Sequence, residues 1–432
     1  MQKSPIAQQA QEALQRHVVT PLQSRILDED HGGFLVDFDD RWRPVGLQEK
    51  SLEYIARTTI AFTQIARAMP EQGYDRYVRH GCSFLQQAMW DHVNGGFFCR
   101  VDRSGDPMWE GLKHPHAATY AGRAFLLAEP YLAPGEALQW SNRILAWLDD
   151  VTWDASHGGY WGSFRRDNQR YAASTRLPTP DGRDVCGLMP GFKDINTHGD
   201  AIEFLAGLAK GKSGGHCIKR LQALTEILVN RLIQPNGALP YRYLPDWRPA
   251  PDLDWVGYNF QIARYLLCAG ALLQSVDAAA EACRLVDFCL SCAQHPAGGF
   301  SFAVAADGRT WQTTAGPSDL RQWWVQIEAV HALHLLANAA PLGSATRTRY
   351  RRARDEQWKY VRSAFFDEQY GGLHELACDS QERSPRHRLF RRPRSRRCPP
   401  SHKSHAWKDA SHEVNLFVAL WSSECSEEAP MT

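Results

Sequence analysis

The stretch that decides the fold is Trp90-Asp91-His92-Val93-Asn94-Gly95-Gly96-Phe97, whose form returns 63 residues later as Trp153-Asp154-Ala155-Ser156-His157-Gly158-Gly159-Tyr160. Six turns of this kind follow helix-like segments, with 63, 63, 78, 62 and 73 residues between their second positions. A unit of this length holds two helices and a hairpin, so the repeat predicts six units and twelve helices. The six turns are Gly32-Gly33-Phe34, Gly95-Gly96-Phe97, Gly158-Gly159-Tyr160, Asn236-Gly237-Ala238, Gly298-Gly299-Phe300 and Gly371-Gly372-Leu373.

Two kinds of helix alternate along the chain. The segment before a turn is amphipathic, as in 219–233, where four leucines form one stripe. The segment after a turn is apolar nearly all round, as in 260–273, and a helix without a polar face is buried on every side. This alternation predicts an all-α fold, an (α/α)6 barrel with an outer and an inner ring of helices. We expect a single domain over 1–432, with the glycine turns and short β-hairpins on one rim.

The same patterns place the individual helices. Ser318 follows a proline and is the expected N-cap of the fifth inner helix. The predicted inner helices are 49–69, 116–133, 197–212, 256–275, 318–340 and 405–423. The predicted outer helices are 8–27, 74–91, 136–152, 215–233, 277–293 and 346–366.

Composition limits the classes of function. Of the 432 residues 44% are hydrophobic, enough for a large core, and fifteen tryptophans fit that core or a cleft that stacks on sugars. The net charge of +1 favours neither nucleic acid nor an anionic membrane as a partner. No run approaches the roughly 20 apolar residues of a membrane span. The polar N-terminus is not a signal peptide, and eleven scattered cysteines suit the cytoplasm.

One segment fits neither helix nor strand. Residues 383–397 contain eight arginines, and we expect a mobile, solvated loop over about 380–404. The alternatives are a patch that binds nucleic acid and a local departure from the ancestral reading frame.

Polar residues near the starts of the inner helices should meet in one central pocket, because buried polar groups are costly unless they are paired or functional. Arg57 could instead form a structural ion pair with Glu203 or Glu328. We interpret His331 and His334 as core histidines. No zinc pattern, P-loop or dinucleotide-binding motif is present, so neither a metal nor a cofactor is expected. The pocket candidates are Arg57, His116, Tyr120, Asn196, His198, Asp200, Glu203, Tyr258, Asn259, Gln261, Trp323, Trp324, Gln326, Glu328, Trp407, Lys408 and His412.

Four local motifs carry a resemblance to the N-acylglucosamine 2-epimerase family, which includes cellobiose 2-epimerases and mannose isomerases. Arg57 matches its early inner-helix arginine, which contacts the sugar. Asn196–Glu203 resembles N-x-H-x-H-x-x-E, Trp323–Glu328 matches W-W-x-Q-x-E, and Trp407–His412 resembles W-K-x-x-Y-H. The last histidine of that motif is a catalytic acid/base in the family, which implies this role for His412.

The chain departs from the family pattern at three positions. Asp200 stands where the second histidine of the asparagine motif is usual, and Ser411 stands where tyrosine is usual. Tyr258 replaces the histidine of the fourth inner helix, which is the family's other catalytic acid/base. With its pKa near 10, tyrosine is a poor base at neutral pH but a competent acid.

The resemblance implies a cofactor-independent reaction in which a base removes the C2 proton of an open-chain aldose. An enediolate forms, and its reprotonation gives the C2 epimer or the ketose. Imidazole suits this work at neutral pH, and arginine can stabilise the enediolate oxygen. Three assignments stay open: His412 as base with Tyr258 as acid, recruitment of Asp200, or loss of turnover with sugar binding retained.

Two other functions are compatible with the sequence. A glycoside hydrolase on the same toroid needs two carboxylates about 5–9.5 Å apart, for which Asp200, Glu203 and Glu328 are candidates. A non-catalytic sugar-binding protein is the second. For all of these functions the expected partner is a small sugar. The sequence allows a homodimer but does not predict one.

Overall fold

The computed structural model describes residues 4–211, 214–250, 253–313, 316–318, 320–339, 342–377 and 402–422. Within them, twelve helices alternate between two rings, which confirms the predicted (α/α)6 barrel, and helix ends lie within six residues of their predicted positions. The outer helices are α1 (Pro5–Ala13, continued by Leu14–Val19 and Thr20–Leu22), α3 (Asp75–Phe84 and Leu85–Met89), α5 (Glu136–Trp147 and Leu148–Thr152), α7 (Gly214–Ile227 and Leu228–Leu232), α9 (Val276–Cys292) and α11 (Ser344–Ala364). The inner helices are α2 (Leu52–Ala68), α4 (Pro115–Ala128), α6 (Ile195–Lys210), α8 (Val256–Leu273), α10 (Trp323–Asn338) and α12 (Ser411–Ser422).

The inner helices form a closed ring. Each packs against the next, and α12 packs back against α2. Helix α8 buries fourteen of its eighteen residues, whereas α11 buries six of twenty-one. The all-round apolar pattern of the inner segments is therefore explained by neighbours on every side.

The two rims of the barrel differ. On one rim each unit passes from an outer to an inner helix through a glycine turn and a short hairpin. On the other rim the inner helix returns to the next outer helix through short connections such as 69–74 and 129–135. The starts of all six inner helices consequently lie on the rim with the glycine turns.

Five of the glycine turns are closed by an antiparallel bridge. Gly95 and Gly96 have φ values of 71° and 76°, a conformation that residues with a side chain rarely adopt. A Cβ on Gly96 would also lie 2.4 Å from the indole of Trp147, so both strain and space require glycine there. The bridges join Leu27 to Phe34, Trp90 to Phe97, Trp153 to Tyr160, Gln294 to Phe300 and Phe366 to Leu373.

Four buried lysine–aspartate pairs, which we call the lysine latches, fix these turns. In one latch Nζ of Lys193 lies 2.7 Å from Oδ2 of Asp154 and donates to the carbonyls of Gly158 and Pro245. Burial lowers the pKa of Lys193 while Asp154 raises it, so the lysine depends on its partner to stay charged. Pro245 belongs to the hairpin of the following unit, so the latch joins neighbouring units. The other latches are Lys50–Asp28, Lys113–Asp91 and Lys403–Asp367.

Short antiparallel strand pairs complete the rim. Each strand has two residues, and each pair joins strands of the same repeat unit or of two neighbouring units. The pairs are β1 (Lys50–Ser51) with β2 (Arg100–Val101), β3 (Lys193–Asp194) with β4 (Arg242–Tyr243), β5 (Asp254–Trp255) with β6 (Ala303–Val304), and β7 (Gln312–Thr313) with β8 (Gly316–Pro317).

Two predicted helix starts are wrong. Helix α10 begins at Trp323, and Ser318 is not its N-cap, because β7 and β8 occupy the preceding chain and the backbone of Gln322 is still extended. Helix α12 begins at Ser411 instead of 405, because Ser404 bridges to Phe38 and 405–408 form a turn. Most of the predicted loop 380–404, including the arginine-rich 383–397, lies outside the described residues. None of the described helices combines the length and the apolar character that a membrane span requires.

Candidate active site

The second residue of every inner helix lies at the mouth of the ring. These positions are equivalent, because all six helices start on the same rim. Two of the side chains are imidazoles, and one position has no side chain. The residues are Glu53 on α2, His116 on α4, Asn196 on α6, Gly257 on α8, Trp324 on α10 and His412 on α12.

A second layer lies one turn deeper, because residues four apart share a helix face. It is formed by the sixth residues of five inner helices, and all five side chains are polar and buried. A third layer follows at the ninth residues, where charged side chains again dominate. The second layer is Arg57, Tyr120, Asp200, Gln261 and Glu328, and the third is Ile60, Arg123, Glu203, Arg264 and His331.

The layers enclose a cavity with about 240 Å³ of empty space, part of it open to solvent. Three guanidinium groups and one imidazole face it together with phenol and amide groups. The lining residues are Arg57, Ile60, Tyr120, Arg123, Gln261, Arg264, Tyr265, Glu328, Ser411, His412 and Asn415. A larger cavity of about 480 Å³ lies between α1, α2 and the chain before α12, with a mostly apolar lining that excludes Arg57 and His412.

Arg57 is held by two carboxylates, Glu53 on its own helix α2 and Asp409 in the chain just before α12. Its Nη1 donates to Glu53 at 2.7 Å, and its Nε lies 3.1 Å from Asp409 and 2.9 Å from Oγ of Ser411. Its guanidinium also lies over the ring of Tyr120 at 5.3 Å. Burial alone would lower the pKa of Arg57, but Asp409, Tyr120 and Glu53 raise it, so the group is a permanent cation. The alternative ion pairs of Arg57 with Glu203 or Glu328 are not formed.

His116 joins Glu53 to Asp200. Its Nε2 lies 3.3 Å from Oε2 of Glu53 and its Nδ1 lies 3.1 Å from Oδ2 of Asp200. Burial works to lower the pKa of His116, but the two carboxylates outweigh it and raise the pKa to about 10. His116 is therefore a buried imidazolium with a carboxylate close to each of its ring nitrogens.

Asp200 is also the acceptor for two phenols. Its Oδ1 accepts from Tyr120 at 2.9 Å and from Tyr265 at 3.1 Å, and Tyr265 in turn accepts from Gln261 at 2.7 Å. With His116 at Oδ2, both oxygens of Asp200 have partners from three other positions in the ring. The carboxylate is a fixed acceptor in this arrangement, which leaves it poorly placed to shuttle a proton.

His412 lies at the mouth with its orientation set by Glu328. Its Nδ1 lies 2.6 Å from Oε1 of Glu328, while Oε2 of Glu328 is 2.8 Å from Nε of Arg264. Burial alone would raise the pKa of Glu328, but Arg264 and His412 lower it far below its ordinary range, so Glu328 is ionised. A carboxylate at Nδ1 keeps a proton on that nitrogen, so Nε2 carries the lone pair. Within the described chain Nε2 has no hydrogen-bond partner.

Tyr258 lies beside the mouth in a cluster of aromatic rings. Its ring centroid is 5.4 Å from that of Tyr241, 6.0 Å from Trp255 and 5.3 Å from Trp324. Burial raises the pKa of Tyr258 well above 10, and nearby Cys186, Asp200 and Glu53 raise it further. Because its ring packs in this aromatic cluster, Tyr258 is not among the residues that line the cavity.

His198 and Gln326, both predicted to bind substrate, are the fourth residues of α6 and α10, and their side chains bind the backbone of glycine turns. Nε2 of His198 accepts from the amide of Tyr160 at 2.8 Å, and Oε1 of Gln326 accepts from the amide of Phe300 at 2.8 Å. Burial lowers the pKa of His198 to about 4, so its ring is neutral. Asn259, at the same helix position, donates to the carbonyl of Gly237. The structure does not bring His198 and Gln326 to the cavity.

The remaining predicted residues lie at varied distances from the mouth. The indole of Trp324 lies 5.9 Å from the ring of His412, and Nδ2 of Asn196 lies 3.4 Å from Nε2 of His116. Glu203 pairs with Arg123 in the third layer at 2.8 Å. Trp323 is buried, whereas Trp407 is half exposed. Lys408 donates to the carbonyls of Leu373 and His402, and burial lowers its pKa to about 8.

Sequence reasoning missed four charged members of the site. Glu53 and Asp409 hold Arg57, Arg264 holds Glu328, and Arg123 holds Glu203. For Glu53 a signal existed, because it stands four residues before Arg57 on the same helix face. The other three pairs join distant parts of the chain, so spacing along the chain does not indicate them.

One cluster among the described residues has the composition of a metal site. His114, Asp184 and Cys186 each offer a ligand atom, and these atoms lie within 4.8 Å of one another. The ligands belong to the start of α4 and to the 184–186 loop, about 70 residues apart, so no sequence spacing predicts them. The cluster lies outside the cavity lined by His412.

No protein-family model matches the sequence. Solved structures similar to the chain over nearly its whole length include cellobiose 2-epimerase from Bacillus thermoamylovorans, with 16% identity, a TM-score of 0.80, and coverage of 96% of this chain and 98% of the other. A D-mannose isomerase shows 16% identity, a TM-score of 0.78 and coverage of 98% and 100%. At this identity the comparisons establish the (α/α)6 fold.

A family 76 glycoside hydrolase, a mannosidase from Bacteroides thetaiotaomicron, is similar at a lower level. It has 10% identity, a TM-score of 0.62 and coverage of 98% of this chain and 99% of the other. The chain thus shares the (α/α)6 toroid with these solved structures, and the epimerase and isomerase structures resemble it more than this hydrolase does.

Proposed function

We propose that this protein is a carbohydrate isomerase or 2-epimerase of the N-acylglucosamine 2-epimerase type, which moves a proton at C2 of an open-chain aldose without a cofactor. One observation carries the proposal: His412 lies 2.6 Å from Glu328 and faces the cavity that Arg57 also lines. The named activities of the similar epimerase and isomerase support the same class of reaction.

In this mechanism Nε2 of His412 removes the C2 proton as a general base. Glu328 keeps the opposite nitrogen protonated and stabilises the imidazolium that forms. Arg57 donates to the oxygen that gains charge in the enediolate, and it cannot lose its own proton under any working condition. The only guanidinium nitrogen of Arg57 with no partner in the described chain is Nη2, which is free to contact the sugar.

The three carboxylates predicted for a glycoside hydrolase give little support to that alternative. A glycosidase needs one carboxylic acid that keeps its proton near neutral pH. Glu328, Asp200 and Glu203 are each paired with cationic groups or phenols, and the pKa of Glu328 is lowered. Glu328 is therefore not available as the protonated general acid, and Asp200 and Glu203 are each held by partners from neighbouring helices.

Exchange of the C2 proton in heavy water tests the proposal. The protein would be incubated with glucose, mannose, N-acetylglucosamine and N-acetylmannosamine, and loss of the H2 signal followed by NMR. We expect exchange with at least one aldose, and a loss of at least about 10²-fold in His412→Asn. His31→Asn, at an exposed histidine, is the matched control. Sugar binding by calorimetry without exchange would instead identify a non-catalytic sugar-binding protein.

We keep three further expectations as proposals. The chain forms one domain, the protein acts in the cytoplasm, and two copies of the chain can associate as a homodimer. Size-exclusion chromatography with light scattering measures the oligomeric state directly.

A further inference from the structure

We propose that the ring contains a single proton carrier for carbon, His412, and that the reaction is therefore the interconversion of an aldose with its ketose and not the epimerisation of C2. This inference rests on the proposed function and selects one of its two outcomes. It follows from which side chains face the cavity and which are already committed to partners.

The two reactions differ in the number of groups that must exchange protons with carbon. In epimerisation a proton leaves C2 on one face of the enediolate and another arrives on the opposite face, so two carriers flank the plane. In aldose–ketose isomerisation one base takes the C2 proton and returns it to C1 on the same face. A site with one carrier can therefore complete isomerisation. It cannot complete epimerisation as long as the enediolate keeps the same face towards that carrier.

The position on α8 where a second carrier would face the mouth is Gly257. An added Cβ there would lie 2.1 Å from the indole of Trp324, so this indole fills the space that a side chain would need. Tyr258, the next residue, holds its ring among Tyr241, Trp255 and Trp324 and does not line the cavity. The aromatic cluster therefore replaces a proton carrier on this side of the ring.

The other titratable groups of the first two layers have fixed partners. Asp200 accepts from Tyr120 and Tyr265 and faces His116, and those phenols direct their protons at Asp200. Glu53 faces His116 and Arg57. His116 is fully buried and faces a carboxylate at each nitrogen.

The third layer offers no second base either. Arg123 and Arg264 are guanidinium groups, which do not lose protons in proteins. His331 is the ninth residue of α10 and lies one turn beyond Glu328, away from the cavity lining. Tyr258 could act only as an acid, and the resulting tyrosinate would be buried without a cationic partner among its aromatic neighbours.

The steps balance within the substrate. His412 Nε2 takes the C2 proton, the C2–H electrons form the C1=C2 bond, and the C1=O electrons move onto O1. A proton then passes from O2 to O1. Finally the C2=O bond forms as the imidazolium returns its proton to C1. C1 is reduced and C2 is oxidised, so no external oxidant, reductant or metal is needed.

Product analysis in heavy water tests the inference. The full chain would be incubated with the same four aldoses and with fructose, and the products resolved by NMR and chromatography. We expect ketose with deuterium in one of the two C1 positions, some ketose without deuterium through internal return, and C2 epimer below about one-hundredth of the ketose. Formation of epimer at a rate comparable to the ketose would overturn the inference while leaving the proposed function intact.

A second outcome and a variant separate the remaining cases. Absence of both products and of all exchange would overturn the proposed function and this inference together. If epimer forms in the parent protein and is lost selectively in Tyr258→Phe while ketose persists, Tyr258 is the second carrier and the inference is wrong. Circular dichroism and thermal melting establish that the variant is folded, and Tyr370→Phe, at an exposed tyrosine, is the matched control.

Discussion

Nδ1 of His412 lies 2.6 Å from Oε1 of Glu328, and this contact joins the start of α12 to the second turn of the neighbouring α10. The same carboxylate reaches Arg264 on α8 through its other oxygen. Three consecutive inner helices therefore fix the orientation of one imidazole, and its proton-accepting nitrogen is directed into the ring.

Glu328→Gln should lower the turnover number by about 10²–10⁴-fold with little change in KM. The amide keeps the shape of the side chain but removes the charge that favours the imidazolium formed in the reaction. Steady-state kinetics with the aldose found by exchange measures both constants. Glu356→Gln, an exposed change on α11, is the control. A rise in KM with unchanged turnover would instead assign Glu328 to substrate binding.

Arg57→Lys should reduce kcat/KM by at least about 10²-fold. A lysine cannot contact Glu53, Asp409 and Ser411 at once while presenting a further donor to the sugar, because it lacks the planar fork. Kinetics and a thermal melt separate loss of function from loss of fold. Arg352→Lys, at an exposed arginine of α11, should leave both unchanged. An equal drop in both variants would remove Arg57 from the mechanism.

The free energy of unfolding should fall as pH rises through about 10. His116 has a folded pKa of about 10 against about 6.5 when unfolded, so its stabilisation is complete below pH 6.5 and is lost as the folded imidazolium deprotonates. The loss should be roughly 3–5 kcal/mol, measured by urea denaturation between pH 7 and 10.5. His116→Gln should flatten this dependence. An identical slope in the variant would show that His116 is not the titrating group.

Lys193→Met should destabilise the barrel by roughly 3–5 kcal/mol, because it leaves Asp154 buried without its cation. Adding Asp154→Asn should recover part of that loss, which a double-mutant cycle measures from urea melts. Additive effects would show that the two side chains do not interact energetically.

Gly257→Ala should weaken sugar binding by about tenfold. The new Cβ would lie 2.1 Å from the indole of Trp324, so this ring must move at the mouth. Calorimetry gives the dissociation constant, and tryptophan fluorescence reports the displacement. Gly215→Ala, where nothing lies within 4 Å of an added Cβ, is the control on an outer helix. Unchanged affinity and fluorescence in Gly257→Ala would contradict this account of the mouth.

The repeat and the two helix patterns were sufficient to predict the architecture. Period and burial are properties of the chain itself, so helices such as α8 and α5 lie within a few residues of their predicted ranges. The predicted starts of α10 and α12 were wrong because tertiary bridges hold the preceding chain at Gln322 and Ser404, and a turn at 405–408 follows the second bridge.

Partners across the ring could not be predicted in the same way. Asp200 contacts His116 on α4 and Tyr265 on α8. Which side chains it contacts depends on how far each helix is rotated about its own axis. His198 and Gln326 carry motif-like spacing, yet they bind the backbone of glycine turns on the rim. Sequence spacing identifies the helix and the face, and only packing determines which neighbour a side chain contacts.

The division of the barrel into two unlike rims also has a practical use. Connections such as 69–74 and 129–135 join the far ends of the inner helices, and Glu71 and Glu129 in these connections are exposed. A fluorophore, an affinity handle or a surface-immobilisation linker attached at those sites would lie on the rim opposite the starts of the inner helices. The protein could then be tethered or tracked while the mouth of the ring stays unobstructed.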